Sequence, residues 1–413
     1  MIFEEKIWKG WFNLPGPLPR NLKEVLDNPK RFERLLKKNG VLGKCENVVS
    51  IETLAKILSE PAKQATAGSI RIVINELDGK TRELKLFCKF QSGRGMPRWL
   101  QALRAAAEPG ICREVDFYSQ IRASVPIKTP KPILAVKVYM LNYVFLALEY
   151  IDIELGQARV VNDSTGATLS EVTLMMNEIA KLHSRYSLLE TDPETAWIPA
   201  KRGLEFAQWV ESFNVKRDTI WKFKVFSALK QYFANHPVTL VHGDCRPGNM
   251  LFQGNDRNNT SGVIFCDWEA TNIAPFLWDF TYCTTLGWSA KSRREYSEQV
   301  LISYINALAI QPQNIKIDFE AAKLDVALLT LVLGFVSFTI RATGFWNNQG
   351  NTRKDITAWT VRISYSLIDL NAEQVSKVLN IDVDDIVEIQ KFCESQLKLL
   401  TNLEPFDEQS ITI

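Results

Sequence analysis

The chain is short of the residues that several kinds of site require. It has three histidines, His183, His236 and His242, too scattered to form a metal cluster. Its seven cysteines, Cys45, Cys88, Cys112, Cys245, Cys266, Cys283 and Cys393, form no C-x-x-C pair, which argues against a zinc ribbon or a thioredoxin-type site. An odd, dispersed set of thiols implies reduced cysteines and a reducing, cytoplasmic setting. An excess of one charge is also lacking. With 49 Lys and Arg against 47 Asp and Glu, the net charge is +2, and there is no electrostatic case for nucleic acid or an anionic membrane. The start of the chain carries Glu4 and Glu5 where a signal peptide needs basic residues, and no apolar stretch follows. The most apolar run, residues 326–340, is bounded by Asp325 and Arg341. It falls short of the ~20 residues that span a bilayer, so a buried core helix is expected.

Several phosphate and nucleophile motifs are missing too. There is no G-x-G-x-x-G and no G-x-S-x-G elbow. Gly79-Lys80-Thr81 mimics the end of a P-loop, but Ile74 stands where its first glycine belongs. No internal repeat or low-complexity linker is present. The Asn-x-Ser/Thr triplets at Asn162, Asn258 and Asn259 have no meaning in a cytosolic chain.

What is present reads as two lobes. After a Pro-rich start (Pro15, Pro17, Pro19), Leu22, Val25, Leu26, Phe32, Leu35 and Leu36 form a helical stripe. A strand fits residues 48–57. Residues 70–77 and 81–90 form a predicted hairpin through Asp78-Gly79. A helix over 111–121 and strands over 133–138 and 143–150 complete a β, β, β, α, β, β order. Helices are then predicted over 169–187, 203–213, 219–235, 292–309, 319–341, 358–368, 372–378 and 384–399. One β island interrupts them, with short strands at 239–241, 250–253 and 263–267. The fold class expected is α+β: a small β-rich lobe over 1–150, with a helical extension over 1–45, and a larger, mostly helical lobe over 151–413.

The β island carries the chemistry. Val241-His242-Gly243-Asp244-Cys245-Arg246-Pro247-Gly248-Asn249 contains H-G-D-x-x-x-x-N, and Asp267 closes the next apolar strand. Phosphoryl transfer needs little covalent help. It needs an Asp to orient the incoming hydroxyl, and hard oxygen ligands to hold a metal on the phosphates. Asp244, Asn249 and Asp267 supply those groups in that order and at that spacing.

Together with Leu182-His183-Ser184, Asp267-Trp268-Glu269, Trp278-Asp279-Phe280 and the pattern from Arg294-Glu295 to Tyr304 and Leu308, this segment resembles the aminoglycoside phosphotransferase and choline kinase superfamily. It looks most like the ecdysteroid-kinase-like (CHK kinase-like) branch. The resemblance covers roughly residues 45–310 and implies a protein-kinase-like bilobal fold that uses ATP and Mg²⁺. It implies that Asp244 is the catalytic base, that Asn249 and Asp267 hold magnesium, that His242 braces the loop, and that Asp279 anchors it. It also places the hinge for the adenine edge at Glu149-Tyr150-Ile151.

The first lobe should supply a lysine for the phosphates. Lys85, Phe87 and Lys89 share one strand face, and Lys89, deeper among apolar neighbours, is chosen over Lys85. Its partner should be Glu114, beside the stripe of Ile111, Val115 and Tyr118, rather than Asp116. The phosphate-covering loop departs from expectation, since residues 59–69 offer only Gly68.

A protein-serine kinase fits poorly. Asp267-Trp268-Glu269 replaces D-F-G, no A-P-E follows, and Asp279 comes only 12 positions after Asp267. The expected acceptor is a small hydroxylated molecule. The aromatics Trp268, Phe276, Trp278, Trp288, Phe345 and Trp346 point to an apolar one, with choline as another option through its quaternary ammonium. The alternatives are a pseudokinase that binds nucleotide or a partner, motivated by the poor glycine loop, and a hydrolytic ATPase.

Overall fold

The computed structural model describes residues 18–19, 21–54, 67–90, 110–138, 143–153, 155–187, 223–254, 256–257, 259–342 and 353–403. They fall into two units. The first takes the chain up to Ser124, Thr129–Asp152 and Asp267–Ala270. The second takes Val125–Lys128, Ile153–Cys266 and the chain from Thr271.

In the first unit, α1 (Leu22–Asp27) starts where the Asn21 side chain accepts the Glu24 N–H, and α2 (Pro29–Lys38) has proline at its first position. The strands β1 (Asn47–Thr53), β2 (Ala67–Asn75) and β3 (Thr81–Phe90) follow. The β2–β3 turn is the expected one: Gly79 has φ +80 and Asp78 accepts the Lys80 N–H at 3.0 Å. Helix α3 (Gly110–Asp116) is shorter than expected, because the chain tightens into a π-helical turn over Phe117–Ile121. Then come β4 (Pro132–Val138) and β5 (Tyr143–Glu149), and the sheet is antiparallel in the order β1-β2-β3-β5-β4.

Strand alternation decides what each face does. Ile70, Ile72 and Ile74 of β2 and Leu86, Cys88 and Phe90 of β3 are buried in one core with Leu22, Val25, Phe32, Leu35 and Leu36 of the two helices. Lys85, Phe87 and Lys89 therefore lie on the other face. Gly68 sits at a strand position opposite Cys88, and an added Cβ would come within 2.9 Å of Leu22. Packing against Leu22 accounts for the missing side chain; of the phosphate-covering loop expected over 59–69, residues 67–69 belong to β2 and the rest lie outside the described residues.

The second unit holds β6 (Arg159–Val160), α4 (Leu169–Arg185), α5 (Phe223–Phe233), β7 (Val238–Val241), β8 (Met250–Gln253), β9 (Gly262–Phe265) and β10 (Asn272–Pro275). Strands β6, β8 and β9 make one small sheet, and β7 pairs with β10. Helices α6 (Trp278–Gly287), α7 (Ala290–Ala309), α8 (Phe319–Ala342), α9 (Arg353–Ile368), α10 (Ala372–Leu379) and α11 (Val383–Leu403) complete it. Helix α4 opens on a capping box in which Thr168 and Glu171 satisfy each other's backbone.

Helix α6 was not foreseen. Nine of its ten residues are buried, so it has no polar face to give a helical period. Helix α8 carries the apolar run, and its Leu328, Leu329, Leu331, Val332 and Leu333 are buried as expected of a core helix. Its stretch Phe319–Phe338 is long and apolar enough to cross a membrane by length and composition, so length alone does not assign it to the core. Within the protein, 61% of its 18-residue apolar window is buried. The helix expected over 203–213 lies outside the described residues. All seven cysteines are free thiols.

Candidate active site

In the first unit, Lys89 joins two acids. Its Nζ donates to Glu114 Oε2 at 2.7 Å and to Asp267 Oδ1 at 2.5 Å. Glu114 is fully buried on α3, and its other oxygen accepts the Trp268 N–H at 3.4 Å. The indole of Trp268 stacks on Phe117, with ring centroids 3.9 Å apart and 8° between planes. The π-helical turn thus places an aromatic platform beneath the residue that follows Asp267. Burial alone would lower the lysine's pKa, but the charges of Asp267, Glu114 and Glu269 outweigh it and hold Lys89 protonated. Asp267 has φ +64, a backbone state uncommon for a non-glycine residue. It also stands beyond β9, which ends at Phe265, rather than inside the strand as expected.

The other candidates of this unit are placed apart from that cluster. Lys85 pairs with Asp152 at 2.9 Å, and Asp116 pairs with Lys137 at 2.5 Å. Glu149 is exposed at the end of β5 and accepts the Lys131 N–H at 2.7 Å. Tyr150 donates its N–H to Lys85 O at 3.3 Å, and Ile151 follows outside the ladder.

In the second unit, the loop between β7 and β8 is fastened by Asp279 at the start of α6. Its carboxylate accepts the His242 N–H at 2.7 Å and the Gly243 N–H at 2.9 Å. It also accepts His183 Nε2–H at 3.1 Å. Burial pushes this carboxyl up, but His183, the neighbouring His242 and the Gly243 amide overcome it and hold Asp279 below the ordinary carboxylate range. Trp278 Nε1 donates to Gly243 O at 3.1 Å. The His242 ring donates Nε2–H to the carbonyl of Cys266 at 2.8 Å. Asn249 Nδ2 donates to Asp244 Oδ2 at 2.8 Å, and the Cys266 N–H donates to Asn249 O at 3.1 Å. Two loop residues therefore grip the residue from which the chain enters Asp267.

Asp244 has two further partners that the sequence reading missed. Arg246 Nε donates to its Oδ1 at 3.1 Å, and the Tyr282 hydroxyl is hydrogen-bonded to it. Arg246 Nη1 also pairs with Asp163, a buried acid from the loop between β6 and α4. The only sequence hint was an arginine two positions after the motif Asp, and nothing local pointed to Asp163. The aromatic residues thought to line an acceptor site are corrected by burial. Trp268, Phe276, Trp278 and Trp288 are all core residues, and Phe345 and Trp346 lie outside the described residues. Among the described residues, no three or more His, Cys, Asp or Glu side chains are grouped to hold a metal ion by themselves.

The model of the phosphotransferase enzyme family (APH) matches residues 89–312. The chain belongs to this family, and the α+β class and phosphotransferase assignment expected from the sequence are the family's. No curated protein sequence matches the chain. Similar solved structures include an aminoglycoside phosphotransferase-like protein of Ralstonia eutropha, at 13% identity and TM-score 0.49, covering 85% of this chain and 98% of that one. The choline kinase LicA of Streptococcus pneumoniae is similar at 13% identity and TM-score 0.47, covering 81% and 98%. A choline/ethanolamine kinase family protein of Mesorhizobium loti is similar at 12% identity and TM-score 0.46, covering 88% and 99%. At such identities and scores these likenesses decide nothing about the substrate.

Proposed function

We propose that the protein is a small-molecule kinase that transfers the γ-phosphate of ATP to a hydroxyl, within the ecdysteroid-kinase-like branch of its family. The observation that carries this reading is Lys89 held between buried Glu114 and Asp267. A protonated lysine fixed by a buried acid is a ready partner for phosphate oxygens. Residues 1–150 would bind the nucleotide, with the Glu149–Ile151 backbone at the adenine edge and Gly68 beside the phosphate-covering segment. Residues 151–413 would hold the catalytic loop and the acceptor.

Asp244 is the proposed base, braced by His242 and aimed by its hydrogen bond from Asn249. That bond occupies the Asn249 amide nitrogen and leaves its oxygen for a cation. That oxygen and the Asp267 carboxylate are the hard-oxygen groups that would hold Mg²⁺, which takes one or two carboxylates plus phosphates and water. When bound, magnesium supplies charge neutralisation at the phosphates. The free thiols fit a cytoplasmic setting. An apolar acceptor loses the support of the buried tryptophans, so an acceptor screen should span neutral, apolar and quaternary-ammonium alcohols.

The test is thermal stability with ATP, with and without Mg²⁺, for wild type and Asp267→Ala, followed by ADP release with the alcohol panel. A ligand bound only by the folded state raises the melting temperature. Wild type should be stabilised by Mg·ATP, and Asp267→Ala should lose the magnesium-dependent part. Asp244→Ala should keep the stabilisation and lose transfer. A wild type indifferent to millimolar Mg·ATP sinks the proposal and favours the pseudokinase reading.

A further inference from the structure

Asp244 can orient a hydroxyl only if its carboxylate is held against rotation, because the terminal torsion of an Asp side chain is broad and roughly two-fold. Asn249 holds Oδ2 at 2.8 Å, and Arg246 Nε donates chiefly to Oδ1 at 3.1 Å, with Oδ2 at 3.4 Å. Asn249 is short and buried, whereas Arg246 is long and flexible and needs a support of its own. Two contacts supply it and leave Nε facing Asp244. Arg246 Nη1 is ion-paired with Asp163, and its guanidinium lies 4.9 Å from the Trp359 ring centre.

Asp163 is an expensive residue to place there. It is 5% exposed, and a buried carboxylate is tolerated only when its charge and lone pairs are met. Arg246 meets the charge, and the Gly248 N–H donates to Oδ1 at 2.9 Å. An added Cβ on Gly248 would come within 2.6 Å of Asp163 Oδ2, so the loop passes over the acid where only glycine fits. The backbone beneath is held as well. Arg362 of α9 donates Nη1 to Asp163 O at 2.6 Å and Nη2 to Ser164 O at 3.2 Å, and Asp355 of the same helix accepts the Ser164 N–H at 3.2 Å.

Asp163 thus ties Arg246 and Gly248, two positions of one loop, to a turn that α9 holds rigid. Helix α9 lies beyond the residues matched by the family model. We infer that Asp163 and Arg246 are a positioning pair for the phosphoryl-transfer step, aiming Asp244, and that α9 completes the device through Trp359 and Arg362. This rests on the kinase reading above. Without Asp163, Arg246 Nη1 is free to swing onto Asp244 beside Nε, covering the lone pair that must meet the acceptor hydroxyl.

The experiment uses the full chain with Mg·ATP. It follows ADP release with the most active alcohol of the panel, or with water where none accelerates it. The variants are Asp163→Asn, Arg246→Gln, Arg246→Lys and the double Asp163→Asn/Arg246→Gln, each also melted with and without Mg·ATP. Asp163→Asn and Arg246→Gln should each lower kcat about tenfold or more, with KM for Mg·ATP within about twofold of wild type. Arg246→Lys should recover part of kcat. The double variant should be no slower than the slower single one, because both act through one contact chain. If Asp163→Asn lowers only the melting temperature and keeps wild-type kcat, or if the two losses multiply, the pair is structural and the inference is overturned. Wild type that neither binds Mg·ATP nor releases ADP overturns the kinase reading and this inference with it, whereas an active wild type matched by Asp163→Asn overturns the inference alone.

Discussion

Replacing Lys89 by methionine keeps the length of the side chain and removes its charge. Lys89 keeps 15% side-chain exposure, and its partners Glu114 and Asp267 keep 0% and 28%. Removing one member of a buried ion pair costs about 3–5 kcal/mol when the other charge is left unpaired. Two features reduce that here. Asp267 can be hydrated, and Glu114 can take up a proton instead of remaining a bare charge. A loss of about 2–3 kcal/mol at neutral pH follows. At about 2–4 °C per kcal/mol, the melting temperature should fall by about 4–12 °C.

Lys89→Met/Glu114→Gln removes the stranded acid with its partner, so it should regain most of the lost stability while still failing to respond to Mg·ATP. Lys85→Met is the control. Its lysine is 36% exposed although its partner Asp152 is buried, so it should lose less stability than Lys89→Met and keep the Mg·ATP response. The assay is thermal melting of all four proteins, with and without Mg·ATP. If Lys89→Met melts like wild type, the reasoning about the buried pair is wrong. If it keeps the Mg·ATP response while Lys85→Met loses it, the choice of phosphate lysine is wrong.

Other outcomes follow from the catalytic loop. Asp279→Asn puts an amide where a carboxylate accepts two backbone N–H groups and a histidine, and should cost about 1–3 kcal/mol by chemical denaturation. Because the folded pKa of Asp279 lies below its ordinary value, its stabilisation is complete above the unfolded pKa of about 3.9 and is lost only as pH falls through the lower folded value. The gap in melting temperature between wild type and Asp279→Asn should therefore be level from neutral pH down to about 4 and shrink below it. Gly248→Ala drives a methyl into the Asp163 carboxylate, and ADP release should fall while Mg·ATP still raises the melting temperature.

The parts legible in the sequence were those written locally. The Asp78-Gly79 hairpin needs a positive φ that glycine supplies, and β3 alternation put Lys85, Phe87 and Lys89 on one face. The contact between Lys89 and Glu114 also followed, because an acid at the margin of a buried helix stripe must find a cation. Helix α6 was illegible because burial on all sides erases the amphipathic period. The tryptophans misled for a related reason: a sequence shows that a ring is large and apolar, and not whether it faces a pocket or the core.

By itself, then, the sequence determined the α+β class, the phosphotransfer motif and the order of its acids, because these depend on residue type and short spacing. Only the tertiary structure decided what holds those acids. Asp163 stands 83 positions from Arg246, and its backbone is gripped by Arg362, 199 positions further along the chain. Contacts between such distant residues leave no periodicity in either segment. They exist because folding buries a carboxylate that must then find a guanidinium and backbone amides to satisfy it.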